Sequence, residues 1–113
     1  MDGSMPNRMS CPDDPRLPGI AAAVRAHFGD RLTRLVLYGS RARGDHRPDS
    51  DYDMAVFLKG QVDWSAEWDQ AVPLVWKLYE TYGVNAEIHA FPEAELAQPT
   101  LFMRSVRQDG VEL

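Results

Sequence analysis

The stretch Gly39-Ser40-Arg41-Ala42-Arg43-Gly44-Asp45-His46-Arg47-Pro48-Asp49-Ser50-Asp51-Tyr52-Asp53 joins two short apolar runs, residues 35–38 and 54–58. Runs of that length and residue type predict buried strands. At the end of the first, Gly39 lets the backbone turn away sharply and leaves room for a phosphate to approach. A short helix beginning at Ser40 would aim free N–H groups at an anion. Ser40 adds a hydroxyl donor, Arg41, Arg43 and Arg47 add positive charge, and Gly44 lets the chain turn again.

At the head of the second run stand Asp51 and Asp53. On an extended strand, residues two apart share a face, roughly 6.6 Å apart along the chain, so Tyr52 between them points to the core. Two carboxylates so placed repel one another, and a divalent cation relieves that cost. Mg²⁺ suits the pair, being a hard ion that takes carboxylate and phosphate oxygens. Each half has a plain alternative: Gly-Ser is a common turn signal, and Asp49-Ser50-Asp51 is a solvated acidic turn. Their order decides the reading. An antiparallel strand pair brings the end of one run and the start of the next to the same sheet edge.

Outward from this segment the pattern continues. Ile20, Val24 and Phe28 fall at helical spacing from Leu17, with Pro18 in the first turn and Gly29 as the stop. Asp63 is placed to cap a helix running to about Tyr82, with Trp64, Trp68, Val72, Val75, Tyr79 and Tyr82 on one face. The tryptophans, Trp76 included, read as helix packing and not as a base-stacking platform. Pro73 predicts a kink or split. Residues 84–91 predict a third strand with Glu87 and His89 on one face. A last helix is expected over residues 99–108, ended by Gly110, with Arg104 and Arg107 on its solvated side.

The helix between the second and third strands predicts a parallel crossover, and the compact link between the first two an antiparallel pair. The fold class is therefore α/β (α+β): a small mixed sheet of three to four strands covered by helices. At 113 residues the chain holds one domain at most, expected over residues 16–113 behind a loose tail, residues 1–15. No apolar stretch approaches the ~20 residues that span a bilayer, and the N-terminus lacks an apolar signal region. Cys11 is the only cysteine, which rules out an intrachain disulfide and fits a reducing cytoplasm. A net charge of −5 argues against general nucleic-acid binding but allows a local arginine cluster to hold a small anion. His27 and His46 lack spaced partners for zinc.

Taken together, Gly39-Ser40, Ala42-Arg43-Gly44 and Ser50-Asp51-Tyr52-Asp53 resemble the signature of the minimal nucleotidyltransferase (MNT) domain of the DNA polymerase beta-like superfamily. The resemblance extends over residues 17–113. It implies attack by a hydroxyl on the α-phosphate of a nucleoside triphosphate, with pyrophosphate leaving. It places Gly39, Ser40, Arg41 and Arg43 at the nucleotide and makes Asp51 and Asp53 the Mg²⁺ ligands. It also implies a third carboxylate on the following strand as base and ligand to a second metal. Glu87 holds that position, where the family more usually has Asp, and His89 is a second candidate. ATP is the implied donor and AMP the transferred group. MNT proteins are typically paired with HEPN-domain RNase toxins, which they neutralise as antitoxins by AMPylating a tyrosine. The alternative is a binding module that inhibits its partner by occlusion alone.

Overall fold

The computed structural model describes residues 14–113. Four strands, β1 Leu32–Tyr38, β2 Tyr52–Leu58, β3 Ala86–Pro92 and β4 Val111–Glu112, form one sheet in the order β3-β2-β1-β4. Helices α1 Leu17–Phe28, α2 Ser40–Arg43, α3 Trp64–Tyr82 and α4 Leu101–Asp109 complete the chain, with single 3₁₀ turns at Gly29–Arg31 and Glu93–Ala97. As expected, β1 and β2 are antiparallel and β2 and β3 parallel. β4 was not anticipated. Two residues carry no periodicity, and their pairing of Val36 with Glu112 and Leu37 with Val111 is visible only in three dimensions. Arg34 reinforces it with a 2.6 Å ion pair to Glu112.

Alternation along the strands sends residues to two unequal faces. Leu35, Leu37, Tyr52, Met54, Val56 and Leu58 meet Ile20, Val24 and Phe28 of α1 and Leu74 and Leu78 of α3 in the main core. On the other face Val36, Ala55 and Phe57 lie under Leu96, Met103 and Val106. Each such side chain contributes about 1.5–3 kcal/mol when fully buried, so the first face carries most of the stability.

Three expectations change. The buried residues of α3 are Glu67, Ala71, Leu74 and Leu78, not the aromatic stripe. Val75 and Tyr82 pack partly against the core. Trp64, Trp68, Val72, Trp76 and Tyr79 instead point outward, 43% to 70% exposed. The helix settles on its small and aliphatic side, where Leu74 and Leu78 share a core with Ile88 and Ala90. Pro73 does not split α3, which runs as a single helix. Pro73 and Asp69, whose carbonyl loses its helical donor, are both exposed, so the vacated acceptor is not buried. Arg107 is not simply solvated: it donates to the Leu96 and Gln98 carbonyls at 2.6 and 2.9 Å, tying the Glu93–Ala97 turn to α4.

The helix caps follow the sequence. Asp63 accepts from the Ser65 and Ala66 amides at 3.2 and 3.3 Å. Thr100 caps α4 through the Met103 amide at 3.1 Å. Of the expected loose tail, residues 1–13 lie outside the described residues. Asp14, next in sequence, is held: its carboxylate accepts from the Tyr52 hydroxyl and, at 3.0 Å, from the Arg16 amide.

Candidate active site

The site is built on the strand end at Gly39 and the strand head at Asp53. Gly39 has φ +76°, a conformation that L side chains rarely adopt. A Cβ there would also lie 2.5 Å from Asp53 Oδ2. The turn requires glycine through its φ, and the Asp53 carboxylate packs directly against it. The Gly39 carbonyl then accepts from the amides of Ala42 and Arg43, both at 3.1 Å, which winds residues 40–43 into the single turn of α2. Gly44 closes it in the left-handed region at φ +89°.

Strand register gathers the acids. Tyr38 of β1 pairs with Asp53 of β2, and Asp53 pairs with Glu87 of β3, so the three form a row across the sheet. Asp51 precedes β2 by one residue. Ligand oxygens of Asp51, Asp53 and Glu87 all lie within 4.8 Å of one another. The longer Glu side chain therefore still reaches the pair. His89 Nε2 lies 3.4 Å from Glu87 Oε1, and its ring tilts against Trp68 with centroids 5.3 Å apart.

Electrostatics mark the cluster as strained without a counter-ion. Burial, then the charges of Glu87 and Asp51, raise the Asp53 carboxyl above its usual range, while His89 and Arg43 pull the other way. Asp51 is raised by burial, by a hydrogen bond to Glu87 and by the charges of Glu87 and Asp49. The Tyr38 phenol is pushed well up by burial and by Asp53 and Glu87. Three converging carboxylate oxygens, two of them resisting ionisation, match what a hard divalent cation binds and neutralises.

The arginines divide their tasks. Arg41, expected at the nucleotide, is only 5% exposed. Its guanidinium donates to the Pro48 carbonyl at 3.0 Å and to the Ser50 carbonyl at 3.1 and 3.2 Å, and stacks 4.3 Å over the Tyr52 ring. It holds the loop that delivers Asp51, which is a positioning role. Arg43 is exposed and pairs with Asp45 at 3.2 Å and Asp109 at 3.6 Å. Ser40 is partly exposed at the start of α2. His27 and His46 stay outside the carboxylate cluster.

Tyr38 is the site residue that sequence reasoning passed over. Its signal was the register itself, because the residue before Gly39 must face Asp53 once β1 and β2 pair. Its ring meets Phe102 of α4 edge-on at 5.3 Å, which fixes the row against the helix.

Comparison with known proteins agrees with this geometry. Residues 26–113 match the family model described as polymerase beta, nucleotidyltransferase. Over 73 residues the chain is 36% identical to a protein of Methanocaldococcus jannaschii named as a putative protein adenylyltransferase, and the match spans 65% of that relative's length. Among solved structures, a mutant MntA–HpeT toxin–antitoxin structure superposes with a TM-score of 0.63 at 21% identity, covering 88% of this chain and 72% of that one. A toxin–antitoxin structure with AMP-PNP gives a TM-score of 0.59 at 19% identity, covering 83% of this chain and 69% of that one. At such identities the structural likeness establishes the fold, and the family match goes further: the chain belongs to the polymerase beta nucleotidyltransferase family.

Proposed function

We propose that this protein, with residues 16–113 as its catalytic unit, transfers AMP from ATP to a hydroxyl on a partner protein in an Mg²⁺-dependent reaction. The partner in this reading is a HEPN-type RNase toxin, the chain is its antitoxin, and the cytoplasm is the setting. The observation that carries it is the convergence of Asp51, Asp53 and Glu87 within 4.8 Å beside a glycine turn against which the Asp53 carboxylate packs. The adenylyltransferase name of the archaeal relative and the toxin–antitoxin setting of the structural neighbours point the same way.

In this reading Ser40 and Arg43 bind the triphosphate, and Asp51, Asp53 and Glu87 hold Mg²⁺. The bound ion would neutralise charge on the phosphates and orient them. Glu87 is the more exposed of the three acids, so it is the one an acceptor hydroxyl reaches. It takes the hydroxyl proton as the new O–P bond forms at the α-phosphorus. The bond from that phosphorus to the bridging oxygen breaks, and pyrophosphate leaves with the electron pair. Arg41 acts through the loop, keeping Asp51 in place.

The test is incubation of the purified protein with labelled ATP, Mg²⁺ and a co-expressed HEPN-domain partner. Label is expected on the partner, and Asp53→Ala abolishes it. Neutralisation by Asp53→Ala as complete as by the wild type, with no label transferred, would establish the occlusion reading instead.

A further inference from the structure

Five large apolar side chains of α3, Trp64, Trp68, Val72, Trp76 and Tyr79, stand exposed at successive helical turns. Between Trp64 and Tyr79 the stripe is about 22 Å long at 1.5 Å per residue. A groove of about 270 Å³ runs beneath it, walled by Trp68, Val72, Val75 and Trp76 on one side and by Ala86 and Ile88 of β3 on the other. β3 is an edge strand, so the groove opens at the rim of the sheet. Exposed apolar surface of this extent, rimmed by polar residues, marks an interaction site.

The rim selects the occupant. Asp63, Asp69 and Glu80 are exposed on α3 beside the stripe, against Lys77; Arg31 is already paired with the buried Glu67. The surrounding charge is therefore acidic, as is the chain at −5. A second copy would bring two acidic rims together, and an anionic nucleic acid or lipid surface would be repelled. The patch also continues into the carboxylate site: Trp68 touches His89, and His89 bonds Glu87. We infer that the outward face of α3 and the groove along β3 dock a basic amphipathic helix of the polypeptide that brings the acceptor hydroxyl. This rests on the reading of the site as a protein-modifying transferase.

The chain's three tryptophans all lie on this face, so their emission reports its occupancy. The full chain is titrated with two staple-constrained helical peptides that share one leucine stripe and differ only in lysine or glutamate flanks. The lysine peptide is expected to give a saturable blue shift and to bind at least about tenfold more tightly than the glutamate peptide. Val72→Ser with Trp76→Ser, both at exposed positions, should abolish the difference while circular dichroism stays unchanged. Asp53→Asn should keep the peptide affinity, which separates docking from chemistry. Equal binding of both peptides, no response to either, or a blue shift that follows protein concentration alone would overturn the proposal. Peptide binding without any AMP transfer would sink the catalytic reading and not this one.

Discussion

The two faces of the sheet are equally buried at their centres and differ at the end where β2 begins. On one, α1 and α3 close over Tyr52, Met54, Val56 and Leu58 so completely that these residues are no more than 1% exposed. On the other, the Glu93–Ala97 turn and α4 bury Val36, Ala55 and Phe57 just as fully, but on the same face Asp53 stays partly exposed and Glu87 exposed. Asp53 and Glu87 occupy the open end, and Tyr38 beside them in the strand row packs against Phe102 of α4. Residues adjacent in sequence thus have opposite fates. Tyr52 anchors the closed face, while Asp51 and Asp53 stand on the open one. The acid cluster stands where the cover ends, so its carboxylates keep the solvation and access to counter-ions that burial would deny them.

The largest break in this contrast comes from removing an open-face acid. Asp53→Ala should lower AMP transfer by about 10³-fold or more with the fold retained, measured as initial rate under saturating ATP. Glu87→Gln keeps the shape and removes the base, so a loss of about 10²-fold is expected, with binding of Mg²⁺–ATP less affected. The split between turnover and binding checks it.

Arg41→Ala attacks the contrast from the closed side. It removes bonds to two loop carbonyls and the stack on Tyr52, and should cost about 2–4 kcal/mol in denaturant unfolding. Arg41→Lys should not restore this, since an ammonium cannot both stack on Tyr52 and serve two carbonyls with a planar fork.

The smallest effect sharpens the electrostatic side of the comparison. Burial and like charge raise Asp53 and Asp51, so the folded protein holds their protons more tightly than the unfolded chain. That contribution to stability is present below the unfolded Asp range, near pH 4, and is lost as pH rises through the elevated folded values. Without divalent ions, Asp53→Asn should therefore melt higher than the wild type at neutral pH by about 2–5 °C, with the gap closing in acid. Added Mg²⁺ should raise the wild type's melting temperature and leave the variant's almost unchanged.

Much of this was legible in the sequence because it depended on local chemistry. Apolar runs bounded by Gly39 and Asp53 marked the strands, Asp63 marked a helix start, and strand parity put Glu87 on the face where it joins Asp53. What failed depended on partners distant in sequence. The large volumes of Trp64, Trp68 and Trp76 dominated the helical pattern, yet α3 rests on Ala71, Leu74 and Leu78, the two leucines sharing a core with Ile88 and Ala90 of β3. For Arg41 the local pattern pointed to the nucleotide and could not show its bonds to the carbonyls of Pro48 and Ser50. The place of Tyr38 followed from strand register, and β4 was too short to show a period.

If the carboxylate cluster and the Gly39 turn are one metal–triphosphate site, ATP binding must depend both on Mg²⁺ and on the two aspartates. Calorimetric titration of ATP into the wild type and into Asp51→Asn/Asp53→Asn, each with Mg²⁺ and with EDTA, tests it most directly. Binding that requires Mg²⁺ and disappears in the folded double variant is the predicted result. Equal ATP affinity in the variant, or binding indifferent to Mg²⁺, would contradict the account.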